Sequence, residues 1–267
     1  MQISQGQLNT LAYCPRRFQH TYLEQLSVPP NPDQQAALTL GDRFHLVMQQ
    51  RELGLAIAPT AHSLAQSFEE EARIFESVDR FLEAAPEVLR RDRVQFRQSE
   101  HRRTLPFQGF LLTVVYDLLI LEPDHAEILD WKTYAKVPPA TVLQQNWQHK
   151  LYPFVLAETS NYIPEQISLS YWFVRPNATQ IETKPTHLSF PYNPEAHEKV
   201  RQELQQILAT LTDALKQFEA GRSLPQVDEN MDRCSNCPFA IRCQRIRANT
   251  AIEDTALTLE EIDEIAI

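Results

Sequence analysis

The chain has 267 residues, of which 43% are hydrophobic and 22% charged, enough apolar material for a packed core and an ordinary balance for a globular protein. No apolar run reaches the roughly 18 residues that a membrane span needs, and Met1-Gln2-Ile3-Ser4-Gln5 lacks the basic and apolar regions of a secretory leader, so a cytoplasmic location with no membrane partner is expected. The net charge of −10 argues against a protein that coats nucleic acid through long-range attraction.

Ser4 followed by Gln7 is a capping-box pattern that opens a short helix through Leu8 and Leu11. Cys14-Pro15 starts a second helix, with proline at its first position. After the Pro29–Pro32 loop a helix is expected over 34–52, carrying His45 one turn after Gly41. Leu64, Phe68, Phe75, Val78 and Leu82 keep helical spacing and predict an amphipathic helix over 61–85. The character then changes: 94–100, 110–121 and 127–132 are β-like. Residues 141–158 read as a helix in which Pro153 marks a kink or break. Two strands, 167–174 and 179–190, flank a Pro176-Asn177 turn, and Asn193-Pro194-Glu195 opens a long helix stopped at Gly221. This order predicts an α/β fold, a mixed sheet with helices packed against it and helical decoration at the N-terminal end.

The most informative stretch is Asp117 on an apolar run, then Asp130-Trp131-Lys132, then Gln148 and Tyr152. Glu122-Pro123-Asp124-His125 makes the two strands around it a hairpin. Alternation along a strand puts Asp130 and Lys132 on one face. Two carboxylates and an ammonium inside a sheet are costly unless the carboxylates hold a divalent metal and the lysine meets an anionic substrate. Taken alone, Asp130 with Lys132 reads as a structural ion pair, and His45 alone as a satisfied histidine.

The ordered set His45, Asp117, Asp130, Lys132, Gln148 and Tyr152 resembles the PD-(D/E)xK nuclease superfamily, in its RecB-like branch, which includes CRISPR-associated nucleases and AddB-type nuclease domains. The resemblance implies a restriction-endonuclease-like central sheet and a Mg²⁺- or Mn²⁺-dependent deoxyribonuclease. His45, Asp117 and Asp130 would hold the metal, Lys132 would orient water or stabilise charge on the phosphate, and Gln148 and Tyr152 would position substrate. Two departures stand out: Val114 replaces a glycine usual three residues before the first aspartate, and Leu118 an arginine usual just after it. Neither is a metal ligand. Trp131 replaces a more usual tyrosine and is expected to pack against the sheet.

All four cysteines form one pattern, Cys14 alone and then Cys234-x2-Cys237-x5-Cys243. With no secretory leader, disulfides are disfavoured, and soft thiolates suit iron–sulfur or zinc. The pattern is similar to the iron–sulfur staple of the same branch, which implies a [4Fe-4S] cluster tying the N-terminal helices to the C-terminal segment.

The expected organisation is a nuclease domain over 1–249 and an acidic tail over 250–267, in which Glu253, Asp254, Glu260, Glu261, Asp263 and Glu264 face no Lys or Arg. Basic residues gather at Arg16-Arg17, Arg90 to Arg93, Arg102-Arg103 and Arg242 to Arg247, compatible with a local phosphate groove or with solvated surface. The resemblance implies an exonuclease acting on DNA with a single-stranded end, in repair, recombination or CRISPR adaptation, with a helicase or CRISPR-adaptation protein as partner. A non-catalytic DNA-binding or scaffolding subunit is the competing reading.

Overall fold

The computed structural model describes residues 1–29, 32–55, 65–89, 93–133, 136–174 and 186–245. The elements are β1 (Gln2–Ile3), α1 (Gln5–Tyr13), α2 (Pro15–Phe18), α3 (Pro32–Glu52), α4 (Ala65–Ala84), α5 (Pro86–Leu89), β2 (Phe96–Phe107), β3 (Phe110–Leu121), β4 (Ala126–Lys132), α6 (Ala140–Gln145), α7 (Trp147–Glu158), β5 (Ile167–Phe173), β6 (Thr186–Pro191) and α8 (Pro194–Glu219). No helix among the described residues is long and apolar enough to cross a membrane. The Pro176-Asn177 turn and the acidic tail lie outside the described residues, as do Arg90, Arg91, Leu64 and the first half of the strand expected over 179–190.

The local signals explain most boundaries. The Ser4 amide donates to Gln7 Oε1 at 2.9 Å, closing the start of α1. Asn193 Oδ1 accepts from the Ala196 amide at the start of α8, and the helix stops at Gly221, whose φ of +76° only glycine adopts cheaply. The helix expected over 141–158 is instead two, and the break is at Asn146 rather than Pro153. Asn146 has extended backbone and its side chain caps α7 by accepting from the Gln148 amide at 2.8 Å. A good cap at Asn146 ends one helix and begins the next, and Pro153 sits within α7.

The six strands form one mixed sheet. β3 pairs antiparallel with β2 along its whole length, while its other edge is shared: β1 takes Leu111 and Leu112 in parallel, and β4 takes Leu118 to Leu121 antiparallel. β4 continues parallel to β5, which pairs antiparallel with β6. The sheet therefore forks after Leu118↔Leu129, so that β4 leaves β3 where Asp117 would face Asp130.

Two cores cover the two faces. One gathers Leu8, Leu11, Tyr152, Phe154, Leu204 and Leu208 from α1, α7 and α8, and the other Phe44, Val47, Val78 and Phe81 from α3 and α4. β3 contributes Leu112, Val114 and Tyr116 to the first core but Leu118 and Ile120 to the second. A strand that simply alternates sends all even positions to one face. The phase changes at Asp117. Beside it on β2, Glu100 takes a left-handed φ of +48°, and Glu100–Asp117 is the rung missing from the ladder that resumes at His101↔Tyr116. An outlier of that kind inside a strand is the mark of a bulge-like irregularity that re-aims side chains.

The β2–β3 turn fixes this register. Gln108 and Gly109 have φ of +50° and +80°, a two-residue turn between Phe107 and Phe110 whose twist matches the strands. Gly109→Ala places a side chain in the left-handed region and is expected to cost about 1–2 kcal/mol, read by chemical denaturation, with the register and fold retained.

Candidate active site

The candidate side chains come from four elements that meet at the fork, α3, β3, β4 and α7. Asp117 sits at the phase change in β3. Its Oδ2 accepts the Trp131 backbone N–H at 2.6 Å, so a carboxylate takes the place of the strand carbonyl that β4 has left behind. Trp131 is buried with its ring edge-on to Phe81, as the sequence leads one to expect. From α3, His45 bridges the same point: Nδ1 lies 3.4 Å from Asp117 Oδ1 and Nε2 3.1 Å from the Trp131 carbonyl. Gly41, one turn earlier, lets the helix approach β4, since a Cβ there would stand 3.1 Å from Thr133 Oγ1.

Asp130 and Lys132 lie on the Ile128 face of β4 and are almost fully buried, 1% and 4% exposed. Lys132 Nζ is 2.9 Å from Asp130 Oδ2, and Gln148 Nε2 donates to Asp130 Oδ1 at 2.8 Å. Gln148 also reaches the Tyr152 hydroxyl at 3.4 Å, which Gln5 Nε2 approaches at 3.3 Å. The Tyr116 hydroxyl donates to the Tyr152 carbonyl at 3.0 Å. The six residues singled out in the sequence thus form one connected path from α3 through β3 and β4 to α7.

Glu100 is the addition that sequence reasoning missed. Ligand atoms of His45, Glu100 and Asp117 all lie within 4.8 Å of one another, a His-Glu-Asp group able to hold a metal ion. Asp130, expected to share that duty, turns its oxygens to Lys132 and Gln148 instead. The signal for Glu100 was present: a two-residue turn at Gln108-Gly109 sets residue 100 opposite residue 117.

Electrostatics bind the group together. Burial alone would lower the His45 pKa, but the charge and hydrogen bond of Asp117, with the charge of Asp130, raise it from 6.5 to about 9. Burial works against the Asp117 carboxylate, yet His45 and then Lys132 hold it below the ordinary range. Glu100 is pushed up by burial and by Asp117's charge. Two carboxylates repelling each other beside an imidazole of raised basicity suit a divalent cation of the oxygen-and-imidazole class.

The whole-chain comparison agrees with this geometry. The model of the PD-(D/E)XK nuclease superfamily matches residues 2–244. The chain belongs to that superfamily. No curated protein sequence matches it. Among solved structures, a Eubacterium rectale protein named "Putative exonuclease" aligns over 95% of this chain and 90% of its own, with 11% identity and a TM-score of 0.52, a likeness of fold. The structure of SSO0001 aligns over 91% of this chain and 85% of its own at 9% identity and a TM-score of 0.40, too low to carry weight.

The cysteines, expected to form one cluster, are not gathered into a metal-binding group among the described residues. Cys14, Cys234, Cys237 and Cys243 are free thiols that line one cavity with Arg17, Arg233 and Arg245. No three of their sulfurs lie within 4.8 Å of one another. Burial raises the pKa of Cys234, Cys237 and Cys243. The Arg245 guanidinium bonds the Val227 carbonyl and pairs with Glu229, while its buried Nε meets no partner among the described residues.

The chain ends are also tied directly, without any cofactor. Arg16 Nε donates to the Leu224 carbonyl at 2.6 Å, and Gln19 Oε1 accepts the Leu224 amide at 2.7 Å. Tyr13 and Arg233 exchange hydrogen bonds, at 3.0 Å from the hydroxyl and 2.7 Å to the Tyr13 carbonyl, with the guanidinium over the ring.

Two predictions follow from the charges. In metal-free protein the His45 ring should titrate with a midpoint near 9 by NMR, and Asp117→Asn, which leaves burial largely unopposed, should bring that midpoint down to the ordinary 6.5 or below. Because the folded value is raised, the pair stabilises the fold fully below 6.5 and loses that contribution as pH climbs through 9. The second concerns Asp130 and Lys132, whose side chains are buried rather than lining an open cleft as their chemistry suggests. Lys132→Ala strands a buried carboxylate, expected to cost on the order of 3–5 kcal/mol. Asp130→Asn with Lys132→Met should cost clearly less than the two single changes added together, measured by denaturant unfolding.

Proposed function

We infer that the chain is a divalent-metal-dependent deoxyribonuclease that hydrolyses phosphodiester bonds and works as an exonuclease on single-stranded ends, with a [4Fe-4S] cluster at the four cysteines. In this reading residues 1–249 are the nuclease domain and residues 250–267 an acidic tail. The observation that carries this reading is the fork itself: Glu100, Asp117 and Asp130 on three adjacent strands, with His45 on one side and Lys132 on the other.

His45, Glu100 and Asp117 would hold a Mg²⁺ or Mn²⁺ ion, the imidazole favouring manganese. Such an ion supplies a Lewis acid for the phosphate and an acidified water. Asp117 keeps its charge because Trp131 N–H and His45 both bind it, and Asp130 holds Lys132 beside the fork. Lys132, paired with Asp130 in this structure, would supply the positive charge that a phosphate drawn toward the fork meets. Gln148 fixes Asp130 and, through Tyr152, ties the lysine's carboxylate to α7 and α1.

The cysteine spacing supports a cluster over a single zinc. The pattern Cys14 alone and then Cys234-x2-Cys237-x5-Cys243 lacks the two close pairs usual for structural zinc, and four thiolates suit a four-iron cluster. Arginines around the cavity, one with an unpartnered buried Nε, fit an anionic occupant.

The test uses end-labelled single- and double-stranded DNA with anaerobically purified full chain. Cleavage is expected with Mg²⁺ or Mn²⁺, first on single strands, and not with Ca²⁺, which accepts looser coordination. Asp117→Ala should abolish it, and Gln148→Ala or Tyr152→Phe should lower turnover on the order of 100-fold through misplacement. Iron and acid-labile sulfide should accompany the wild type and vanish on replacing any of the four cysteines by Ala. Iron-loaded wild type that cuts nothing with either metal returns the chain to the scaffold reading.

A further inference from the structure

His20 belongs to none of the residues described so far, yet it is 3% exposed and bonded at both ring nitrogens. It sits on a wide π-helical turn, Gln19–Leu23, that follows α2 and is closed by the Glu24 amide reaching back to the Gln19 carbonyl at 2.9 Å. Single turns of this kind inside helical segments gather at functional sites, because the extra residue swings side chains out of the usual register. Here the turn points His20 at the cysteine cavity. Nε2 lies 3.6 Å from Cys243 Sγ, and Nδ1 lies 2.8 Å from Glu24 Oε2.

The ring is fixed from every side. Gln19 Nε2 donates to Glu24 Oε1 at 2.5 Å, and Arg242 from the C-terminal segment stands 3.5 Å from Glu24 Oε2. The Gln19 hydrogen bond, then that of His20, holds the Glu24 carboxyl below its ordinary range, so the partner of Nδ1 is an anion. The Phe239 ring lies 5.1 Å from the imidazole and leaves it no room to turn away. A histidine buried only to fill space would be satisfied by Glu24 alone. This one is held so that its second nitrogen meets one particular sulfur.

We propose that His20, oriented by Glu24, is a hydrogen-bond donor to the Cys243 sulfur that tunes the reduction potential of the cluster and secures its retention. The proposal rests on the iron–sulfur reading above. A cysteine that ligates iron carries no proton, so its sulfur accepts, and the carboxylate of Glu24 accepts as well. The sulfur can therefore accept only from an N–H at His20 Nε2. A donor at a ligand sulfur draws electron density from the cluster and favours the reduced, more negative state, which raises the potential. Cys237 meets a donor too, the Phe239 amide, whereas the donor facing Cys243 is a side chain that can be changed. His20 acts through a ligand and is a positioning residue.

The experiment compares anaerobically purified full-length wild type with His20→Leu, His20→Gln and Glu24→Gln. Iron and sulfide content, midpoint potential and the half-time of cluster loss to an iron chelator are measured for each. His20→Leu should lower the midpoint potential and shorten the half-time by about 10-fold or more, the usual scale for loss of an outer partner. His20→Gln keeps an N–H in reach and should return both quantities toward wild type. Glu24→Gln leaves the ring but removes the charge behind it, and should shift the potential the same way by less. A purely structural role would lower thermal stability and leave the potential unmoved. Wild-type potential in cluster-loaded His20→Leu overturns the proposal while the iron–sulfur reading stands. If His20→Leu cannot be purified, an unchanged potential in Glu24→Gln overturns it. Wild type that holds zinc or no metal overturns the reading itself, and the proposal with it.

Discussion

The Asp117 carboxylate does the work of a backbone carbonyl, and the rest of the site depends on that substitution. Where β4 leaves β3, the Trp131 amide would be a buried donor with nothing to bind, a loss of about 1–3 kcal/mol. Asp117 Oδ2 takes it at 2.6 Å. The same exchange fixes the Trp131 carbonyl toward His45 and sets Asp130 and Lys132 on the far side of the strand. An aspartate in a sheet is ordinarily a misfit. At a fork it is what lets the strands part without leaving the backbone unpaired.

The phase change in β3 shows why the two cores have to differ. Tyr116 turns toward α7 and bonds the Tyr152 carbonyl, while Leu118, two residues on, packs under α3 and α4. A regular strand would offer its functional groups to one face only. The slip at Asp117, matched by the left-handed Glu100 next to it, lets helices on opposite faces reach one point: His45 from α3 and Gln148 from α7. The strain of Glu100 is local, and the turn at Gln108-Gly109 restores the register on either side.

Much of this was legible in the chain itself. The α/β class, the β3–β4 hairpin, the caps at Ser4 and Asn193 and the placing of Asp130 beside Lys132 all come from short-range rules, because turns and alternation act over a few residues. The path from His45 to Tyr152 came from a resemblance and is connected in space. What stayed hidden was long-range. Glu100 looks like a surface charge until its strand is laid against β3, and its departure from alternation has no local signature. Asn146 outweighed Pro153 as a helix break because an N-cap supplies a hydrogen bond whereas a proline only removes one. The depth of Lys132 was hidden too, since a lysine on a strand reads as exposed until the helix that covers it is known. Val114 and Leu118, the two departures from the family pattern, turn out to be buried in opposite cores, so they serve packing.

The ties between the chain ends have a consequence for the order of synthesis. Gln5 supports Tyr152, Ile3 pairs with Leu112, Asn9 accepts the Trp147 amide, and Tyr13, Arg16 and Gln19 are tied to Leu224 and Arg233. During synthesis α1 and α2 therefore meet α7 only after β4 is made, and the last of their partners only with Leu224 and Arg233. Until α7 and α8 follow, the apolar side of Leu8, Leu11 and Phe18 lacks most of the core it shares with them. Long-range closure of this kind is slow and leaves sticky intermediates exposed. A nascent chain halted before Leu224 would hold a nearly complete sheet and α1 against α7, with Tyr13, Arg16 and Gln19 still untied. Residues 224–243 close the fold, much as a belt is fastened only when its end has come round.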